Sequence, residues 1–217
     1  MSTPSSSKKE GHNRPAGSDS RETLLQAAKK VFANKGYDGA TVKDLADAAG
    51  VNISLISYHF GGKENLYKTC LESFGFERIE AAERILKEPL SKEDFKLRLK
   101  LFAEDFIHIH QRDRDTCKMI HRGITTMDPV SLDLFKNVFI RIFMALEGFM
   151  RSASNKDLLK KSLDIEITTG LMFGALVNFI RMDELRRATG QCTLDDPNFM
   201  NLVVEHWVET YTQGIFA

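Results

Sequence analysis

The sequence predicts an all-α fold with about nine helices: an N-terminal three-helix unit, then a bundle of six longer helices. Three observations support this prediction. Apolar residues recur with the helical period of 3.6 along most of the chain, and no stretch sustains the alternation of a half-buried strand. Side chains that cap helix N-termini stand before several of these stretches. The 217 residues include only 5 prolines and 14 glycines, so long uninterrupted helices are expected.

The first three helices are predicted within residues 19–62. They follow an arm, residues 1–18, whose Ser, Gly, Pro and Lys content predicts disorder. The first helix carries one apolar stripe and is expected to end at Gly36. Thr41 is expected to cap the second helix, and Gly50 to end it. A third, short helix follows and ends at a Gly-Gly pair.

Six longer helices are predicted within residues 63–217. Helix breakers and caps set their boundaries, namely Pro89, Ser91 with Asp94, Asp128 with Pro129, Asn155, and Asp196 with Pro197. The seventh helix is expected to run unbroken to about residue 152. The eighth is expected to begin at Asn155 and to reach Ala188. These helices must bury their apolar faces on each other, which predicts a compact helical domain.

Residues 41–60 have the pattern of a helix, a glycine turn and a second helix. Ala46 and Ala49 are small enough for two helices to cross closely, and Gly50 tolerates the left-handed conformation of a tight turn. The helix after the turn is short and poor in apolar residues. Its outward side chains are compact or form hydrogen bonds, which suits a groove of DNA.

Several sequence runs surround this turn. Leu-Leu-Gln-Ala-Ala-Lys-Lys-Val-Phe-Ala-Asn-Lys-Gly-Tyr occupies residues 24–37, Ala-Gly-Val-Asn occupies 49–52, and Ile-Ser-Tyr-His-Phe-Gly-Gly-Lys-Glu-Asn-Leu occupies 56–66. Together they resemble the signature of TetR-family transcriptional regulators, over about residues 18–78. The rest of the chain resembles that family in helix number and size. The resemblance implies that the third helix enters the major groove of DNA.

The resemblance also implies a DNA-binding site. Its predicted residues are Thr41, Asn52, Ile53, Ser54, Leu55, Ser57, Tyr58, His59 and Lys63. The four consecutive residues from Asn52 are expected to face base edges, where Asn pairs with adenine and Leu or Ile contacts a thymine methyl. Tyr58 and His59 are expected to donate to phosphates. Thr41 and Lys63 each stand at a helix start and are expected to add phosphate contacts.

One residue of this site departs from the family pattern. Ser57 stands where a tyrosine is usual, so one phosphate contact is expected to be weaker or to pass to Tyr58. Two structural alternatives stay open. Ile53 lies three residues before Ile56 and can belong to the core, and Tyr58 can pack against protein instead of DNA.

A ligand pocket is predicted inside the bundle. In the TetR family a hole at this place holds a small molecule, and such sites are apolar with a few polar groups. The predicted residues are Phe102, Phe106, His110, His121, Phe139, Phe143, Phe173 and Asn178, with Arg122 as a further polar candidate. An aromatic stripe is more often plain core, so a filled interior stays open as the alternative. No metal or cofactor is predicted, since His108 and His110 point about 200° apart on a helix.

A homodimer interface is predicted on the last two helices. Its residues are Gly170, Gly174, Val204, Trp207, Val208 and Tyr211. The two glycines give a small-residue face that lets another helix approach closely, or alternatively they kink one long helix. In the family such dimers place two reading heads on successive major grooves, so the operator is expected to be a near-palindrome.

Charge and cysteine content set the remaining expectations. Residues 1–68 carry ten basic and seven acidic side chains, although the whole chain is neutral. A mildly basic head fits contact with phosphates. Three widely spaced cysteines fit free thiols in the cytoplasm. No run of 18 or more apolar residues occurs, so no membrane span is predicted.

These observations predict a sequence-specific DNA-binding transcriptional regulator, in the form of a repressor that a small-molecule ligand releases from its operator. The fourth helix connects pocket and head, and ligand is expected to tilt it. Two alternatives stay open. One is an architectural DNA binder without an effector, which predicts a filled bundle. The other is an all-α enzyme, for which His121 and Asp128 are the candidate pair.

Overall fold

The computed structural model describes residues 17–216, and within that range it contains ten α-helices and no strand. In chain order the helices are α1 (Gly17–Gly39), α2 (Val42–Ala49), α3 (Ser54–Phe60), α4 (Lys63–Ile85), α5 (Lys92–Arg112), α6 (Arg114–Thr126), α7 (Pro129–Leu134), α8 (Ile140–Asn155), α9 (Ile165–Ala188) and α10 (Pro197–Ile215). The predicted all-α fold is confirmed. The predicted arm lies outside the described residues, except for residues 17 and 18, which begin α1.

Local capping chemistry sets most helix starts where the sequence predicts them. The Thr41 hydroxyl accepts from the Asp44 backbone N–H, and the Asp44 carboxylate accepts from the Thr41 N–H, which completes a capping box. The same type of side-chain cap occurs at Ser91, which starts α5, and at Asp196, which starts α10. Asp128 accepts from the Ser131 N–H at 2.8 Å at the start of α7. These caps confirm the predicted starts of four helices.

Two boundaries differ from the prediction. The seventh predicted helix is two helices, because a π-helical turn at Phe135–Phe139 separates α7 from α8. Val138 in this turn packs where a Cβ on Gly75 of α4 would stand, so the two backbones approach closely there. Asn155 ends α8, and the next helix begins only after Asp164, whose carboxylate caps α9. Gly36, with φ 75°, ends the regular first helix as predicted, and a short helical stretch continues α1 to Gly39 beyond this kink.

The head comprises α1, α2 and α3, and the start of α4 packs into it. Phe32, Leu45 and Ile56 come from the three head helices and have no exposed surface. The Tyr67 ring of α4 lies 4.9 Å from the Phe32 ring, centroid to centroid, and 5.0 Å from the ring of Tyr37. The core therefore continues from the head into the bundle without a gap.

Polar contacts hold the head against the bundle along α1 and α6. The Lys29 ammonium lies 2.6 Å from the Asp113 carboxylate, at the start of α6. The Arg122 guanidinium donates to the carbonyl oxygen of Asn34 at 2.6 Å. Arg122 therefore ties α6 to the end of α1, and the expectation that it belongs to the ligand pocket is wrong. The polar part of the contact between head and bundle is thus formed by Lys29, Asp113 and Arg122, which are distant in the sequence.

Candidate nucleic-acid interface

The turn between α2 and α3 has the geometry that its glycine predicts. Gly50 adopts φ 65° and ψ 30°, a left-handed conformation that a side chain would strain. Its N–H donates to Asp47 O at 3.2 Å, and the Val51 N–H donates to Ala46 O at 3.1 Å. These bonds satisfy carbonyl groups at the end of α2 and redirect the chain at once into α3.

Helix α3 turns one face inward and the other to solvent. Ile56 and Phe60 are buried against the head. On the opposite face, the side chain of Ile53 is 50% exposed and that of Tyr58 is 79% exposed. The two alternatives that placed these side chains in the core are therefore wrong. Leu55 is half-buried and Ser57 is exposed, so α3 presents a mixed apolar and hydroxyl surface.

The Asn52 side chain is bonded to Ser54, the first residue of α3. Its Oδ1 atom accepts from the Ser54 backbone N–H at 2.9 Å and from the Ser54 hydroxyl at 2.8 Å. A bidentate contact to adenine requires this oxygen as an acceptor for the base. Because both of its lone pairs are used, Ser54 would have to release the oxygen before Asn52 reads a base in that way.

Two residues that are predicted to bind DNA phosphates already form hydrogen bonds within the protein. The Thr41 hydroxyl donates its one hydrogen to Asp44 Oδ2 at 2.8 Å, and the Lys35 ammonium and Thr41 together hold the pKa of Asp44 below its usual range. Lys63 donates to two backbone carbonyls, Tyr37 O at 2.7 Å and Ala40 O at 2.8 Å. A phosphate contact would require Thr41 to break its bond, and Lys63 to use its third N–H.

His59 joins α3 to α1. Its Nε2 atom lies 3.1 Å from the Ser20 hydroxyl oxygen, and its half-buried ring contacts the rings of Tyr58 and Phe60. The histidine therefore fixes α3 against α1 while its ring stays partly exposed. Arg21 follows the predicted arm, and its guanidinium lies 5.0 Å from the Phe60 ring centroid, where it adds positive charge beside α3.

Most of the predicted ligand-pocket residues contact one another, but their rings pack together and fill the volume where a ligand is expected. A continuous series of ring contacts, with centroids 4.9 to 6.2 Å apart, joins Phe102, Phe106, His110, His121, Phe143 and Phe173. The cavity beside His110 and His121 has a volume of about 50 Å³, room for a few water molecules rather than a metabolite. The interpretation of this cluster as plain core is therefore supported.

Two of the remaining pocket predictions turn out differently. Phe139 is buried within the core. Asn178 lies on the exposed face of α9, so its assignment to the pocket is wrong. Helix α9 is apolar on several sides, and periodicity therefore could not select the face that points inward.

His110 is a buried neutral base within the aromatic cluster. It is 6% exposed, and its Nδ1 lies 2.8 Å from the backbone oxygen of Phe106, to which the N–H form donates. Burial, with the positive charge of Arg78 as the next cause, lowers the pKa of His110 to about 3. Burial also lowers the pKa of His121. The enzyme pairing of His121 with Asp128 finds no support, because Asp128 caps α7.

Larger cavities flank α4. One, of about 320 Å³, lies between α4 and the segment from α7 to α8, and Glu72 and Arg141 are among its lining residues. A second, of about 300 Å³, lies between α1, α4 and α5. Both reach the lower limit of volumes that hold small ligands. No sequence pattern predicts either cavity, since their walls mix charged and apolar residues from distant segments.

Most of the predicted dimer residues on α10 face their own chain. Val204, Trp207 and Val208 are buried within the protomer, and the Trp207 indole N–H donates to Met172 O at 3.0 Å. Their assignment to the dimer surface is wrong, because α10 uses this stripe to pack on α5 and α9. The Tyr211 hydroxyl likewise donates to Leu171 O at 3.1 Å.

Helix α9 exposes an apolar face instead. Gly170 and Gly174 lie on this face, with no other atom within 4 Å of where their Cβ atoms would stand. Exposed large apolar side chains flank them, namely Ile167, Leu171, Met182 and Leu185. The helix is continuous from Ile165 to Ala188, and the alternative that its glycines kink it gains no support from these bounds. By length and composition α9 also qualifies as a candidate membrane span, with mean hydropathy 1.3 and 22% of that window buried.

A short exposed helix, set by a glycine turn on a small head and joined to a larger helical body, is the arrangement typical of helix-turn-helix DNA-binding proteins. The family model "Bacterial regulatory proteins, tetR family" matches residues 24–70. Over these residues the chain is similar to TetR-family regulators. The matched proteins are DNA-binding regulators, so the comparisons support a regulator and give the enzyme alternative no support.

Individual relatives match this chain over different lengths. The transcriptional repressor AcnR of Corynebacterium glutamicum is 47% identical over 49 residues, 23% of this chain and 26% of that protein. The transcriptional activator FasR of Mycolicibacterium smegmatis is 27% identical over 129 residues, 55% of this chain and 58% of that protein. The matches thus span between a quarter and just over half of these relatives.

The solved structures extend the similarity of fold to almost the whole chain. A putative fatty acid metabolism regulator of Clostridium perfringens aligns with a TM-score of 0.71 at 19% identity, covering 90% of this chain and 99% of that one. At this identity the likeness establishes the fold alone. The similarity of fold therefore includes the helical bundle as well as the head.

Proposed function

We propose that this protein is a homodimeric transcriptional repressor that binds a near-palindromic DNA operator through α3 and leaves it when a small molecule binds. The observation that supports DNA reading best is the solvent-facing side of α3, where Ile53 and Tyr58 project from a helix too short to serve as core. An apolar residue and a phenol on a protruding helix suit thymine methyl groups and phosphates.

Replacing Tyr58 by alanine is expected to weaken DNA binding about tenfold. The phenol is 79% exposed, so its loss leaves the fold intact and removes one hydrogen bond to phosphate, worth about 1.5 kcal/mol. A bound duplex would first be selected from random sequences, and its affinity measured by fluorescence anisotropy for wild type and Tyr58→Ala. Selection of an inverted repeat is the expected result.

Leu90→Ala is the matched control. Leu90 is 80% exposed, in the loop after the far end of α4, and its truncation is expected to leave affinity unchanged. Failure to enrich any sequence would contradict the proposed function. Equal affinity of wild type and Tyr58→Ala would remove Tyr58 from the interface while leaving the function in place.

The homodimer is proposed to form through α9. Large apolar side chains exposed on both sides of a glycine face are costly in water, and a second copy of the same helix would cover them. The glycines allow two such helices to approach closely, and a two-fold axis through this face would give a self-complementary interface. Two heads related by that axis would read two half-sites, which is why a near-palindrome is expected.

Replacing Leu171 by aspartate is expected to convert the dimer to a monomer. Leu171 is 62% exposed in the protomer, and at the proposed interface the substitution would bury a charge with no partner. Analytical ultracentrifugation of wild type and variant at micromolar concentration measures the change. Leu97→Asp is the matched control, because Leu97 is 54% exposed on α5. A wild-type monomer, or a Leu171→Asp dimer, would refute this interface.

Ligand control is proposed from the cavities beside α4. The filled aromatic interior favours the alternative of a binder without an effector. The cavities of about 320 and 300 Å³ favour a regulator, because both touch the helix that packs into the head. A cytoplasmic location is proposed as well, in keeping with DNA as the partner.

A further inference from the structure

Arg78 carries a buried guanidinium that forms no ion pair with a carboxylate of the described residues. The residue is 3% exposed in the middle of α4, and among the described residues none of its three guanidinium nitrogens has an oxygen or nitrogen acceptor, while the Cys117 thiol beside it is only a weak acceptor. Its central carbon lies 3.0 Å from the centroid of the Phe74 ring. A guanidinium carries five N–H donors, and burying the charge without an acceptor costs several kcal/mol. Burial lowers the pKa of Arg78 to about 10, so it remains cationic at neutral pH.

The guanidinium borders the cavity of about 300 Å³ between α1, α4 and α5. Lys29 and Arg112 add two further positive charges to its lining, and Asp113 contributes one carboxylate. That carboxylate is already bound to the Lys29 ammonium at 2.6 Å. The cavity wall therefore has an excess of positive charge. The N–H groups without an acceptor are those of Arg78, which is the buried one of the two arginines that line the cavity.

We propose that this cavity binds a small ligand through an anionic group, a carboxylate or a phosphate, with Arg78 as the bidentate partner of that group. Planar guanidinium groups match both anions through two parallel N–H bonds. As the effector site of a regulator, the assignment rests on the proposed function. The site itself rests on the buried arginine and its cavity.

The position of the cavity couples such an anion to the head. Gln26 and Lys29 line it from α1, whereas Arg78 lines it from α4. An anion held by Arg78 also attracts the Lys29 ammonium, so the ligand competes with Asp113 for the ion pair with Lys29. The ion pair between Lys29 and Asp113 joins the head to the start of α6. A bound anion that weakens this ion pair therefore loosens the attachment of the head to α6.

The test is thermal unfolding of the full chain, without DNA, in inorganic phosphate, octanoate or chloride at equal ionic strength. Phosphate or octanoate is expected to raise the unfolding midpoint in a saturable way relative to chloride. Whichever of the two anions raises the midpoint shows whether the site takes a phosphate or a carboxylate. Arg78→Met is expected to unfold at a higher midpoint than wild type in chloride and to lose the shift. Arg84→Met, at an exposed arginine of the same helix, is expected to keep it.

Absence of a saturable shift with either anion overturns the site, and so does a shift that persists in Arg78→Met. If Arg78→Met does not fold, Arg78→Lys replaces it, since the ammonium keeps the charge but loses the bidentate geometry and is expected to weaken binding at least tenfold. Isothermal titration of wild type with the active anion is expected to give one site per chain. DNA binding that does not respond to the anion refutes its role as effector, while a protein that binds no DNA refutes the proposed function and leaves the site.

Discussion

Lowering the pH from 6.5 to 4 is expected to remove on the order of 3 kcal/mol of stability through His110 alone. The pKa of His110 in the folded protein is about 3, below the ordinary value of 6.5, because burial disfavours the imidazolium. Between these values the unfolded chain binds a proton that the folded chain does not. Stability is therefore fully present above pH 6.5 and falls by about 1.4 kcal/mol per pH unit toward pH 3.

Urea unfolding at several pH values, at one protein concentration, measures this loss. His110→Leu removes the titrating group and is expected to flatten the dependence between pH 6.5 and 4. His108→Leu, at an exposed position two residues earlier, is expected to retain it. His121 has a pKa lowered by burial and contributes with the same sign, so a residual slope is expected in His110→Leu. Identical slopes in wild type and His110→Leu would contradict the assignment.

Replacing Gly123 by alanine is expected to destabilise the protein by about 2 kcal/mol, although alanine is the better helix former. A Cβ at Gly123 would overlap the Oγ and Cβ atoms of Ser131. Ser131 cannot move freely, because it is buried and its Oγ lies 3.0 Å from the Tyr67 hydroxyl. The overlap therefore pushes α6 away from α7 and breaks a buried hydrogen bond.

Gly148→Ala provides the opposite result from the same substitution. Gly148 lies in α8 with no other atom within 4 Å of where its Cβ would stand, so alanine is expected to stabilise the helix by up to about 1 kcal/mol. Thermal denaturation of both variants measures the difference, which corresponds to roughly 6 to 12 °C between their midpoints. Equal midpoints would show that α6 and α7 can separate without cost.

The elements that the sequence predicts correctly are those that depend on neighbours in the chain. Thr41 with Asp44 and Ser91 with Asp94 start helices through bonds that span three residues. Gly50 ends α2 through its own backbone conformation. The exposed face of α3 follows from the same local pattern, since Ile56 and Phe60 define its buried side. Such features require no knowledge of the partner helix.

The features that the sequence could not predict depend on what lies opposite. Val204, Trp207 and Val208 form a clear apolar stripe, but a stripe does not reveal whether its partner is the same chain or a second copy. Lys63 has the charge to bind phosphate, yet it already donates hydrogen bonds to two backbone carbonyls around the end of α1. Arg78 would ordinarily be assigned to the surface, because arginines are mostly exposed.

The position of Tyr67 sets where this protein can be divided. Its ring packs between Phe32 and Tyr37 of the head, although it belongs to α4, and Leu66, Cys70 and Leu71 of the same two turns are also buried. A head cut at residue 62 would expose this core to water. A chimera that grafts this head onto another sensor therefore has to carry α4 through Leu71 at least, so the crossover point for recombination lies inside a helix rather than in a linker.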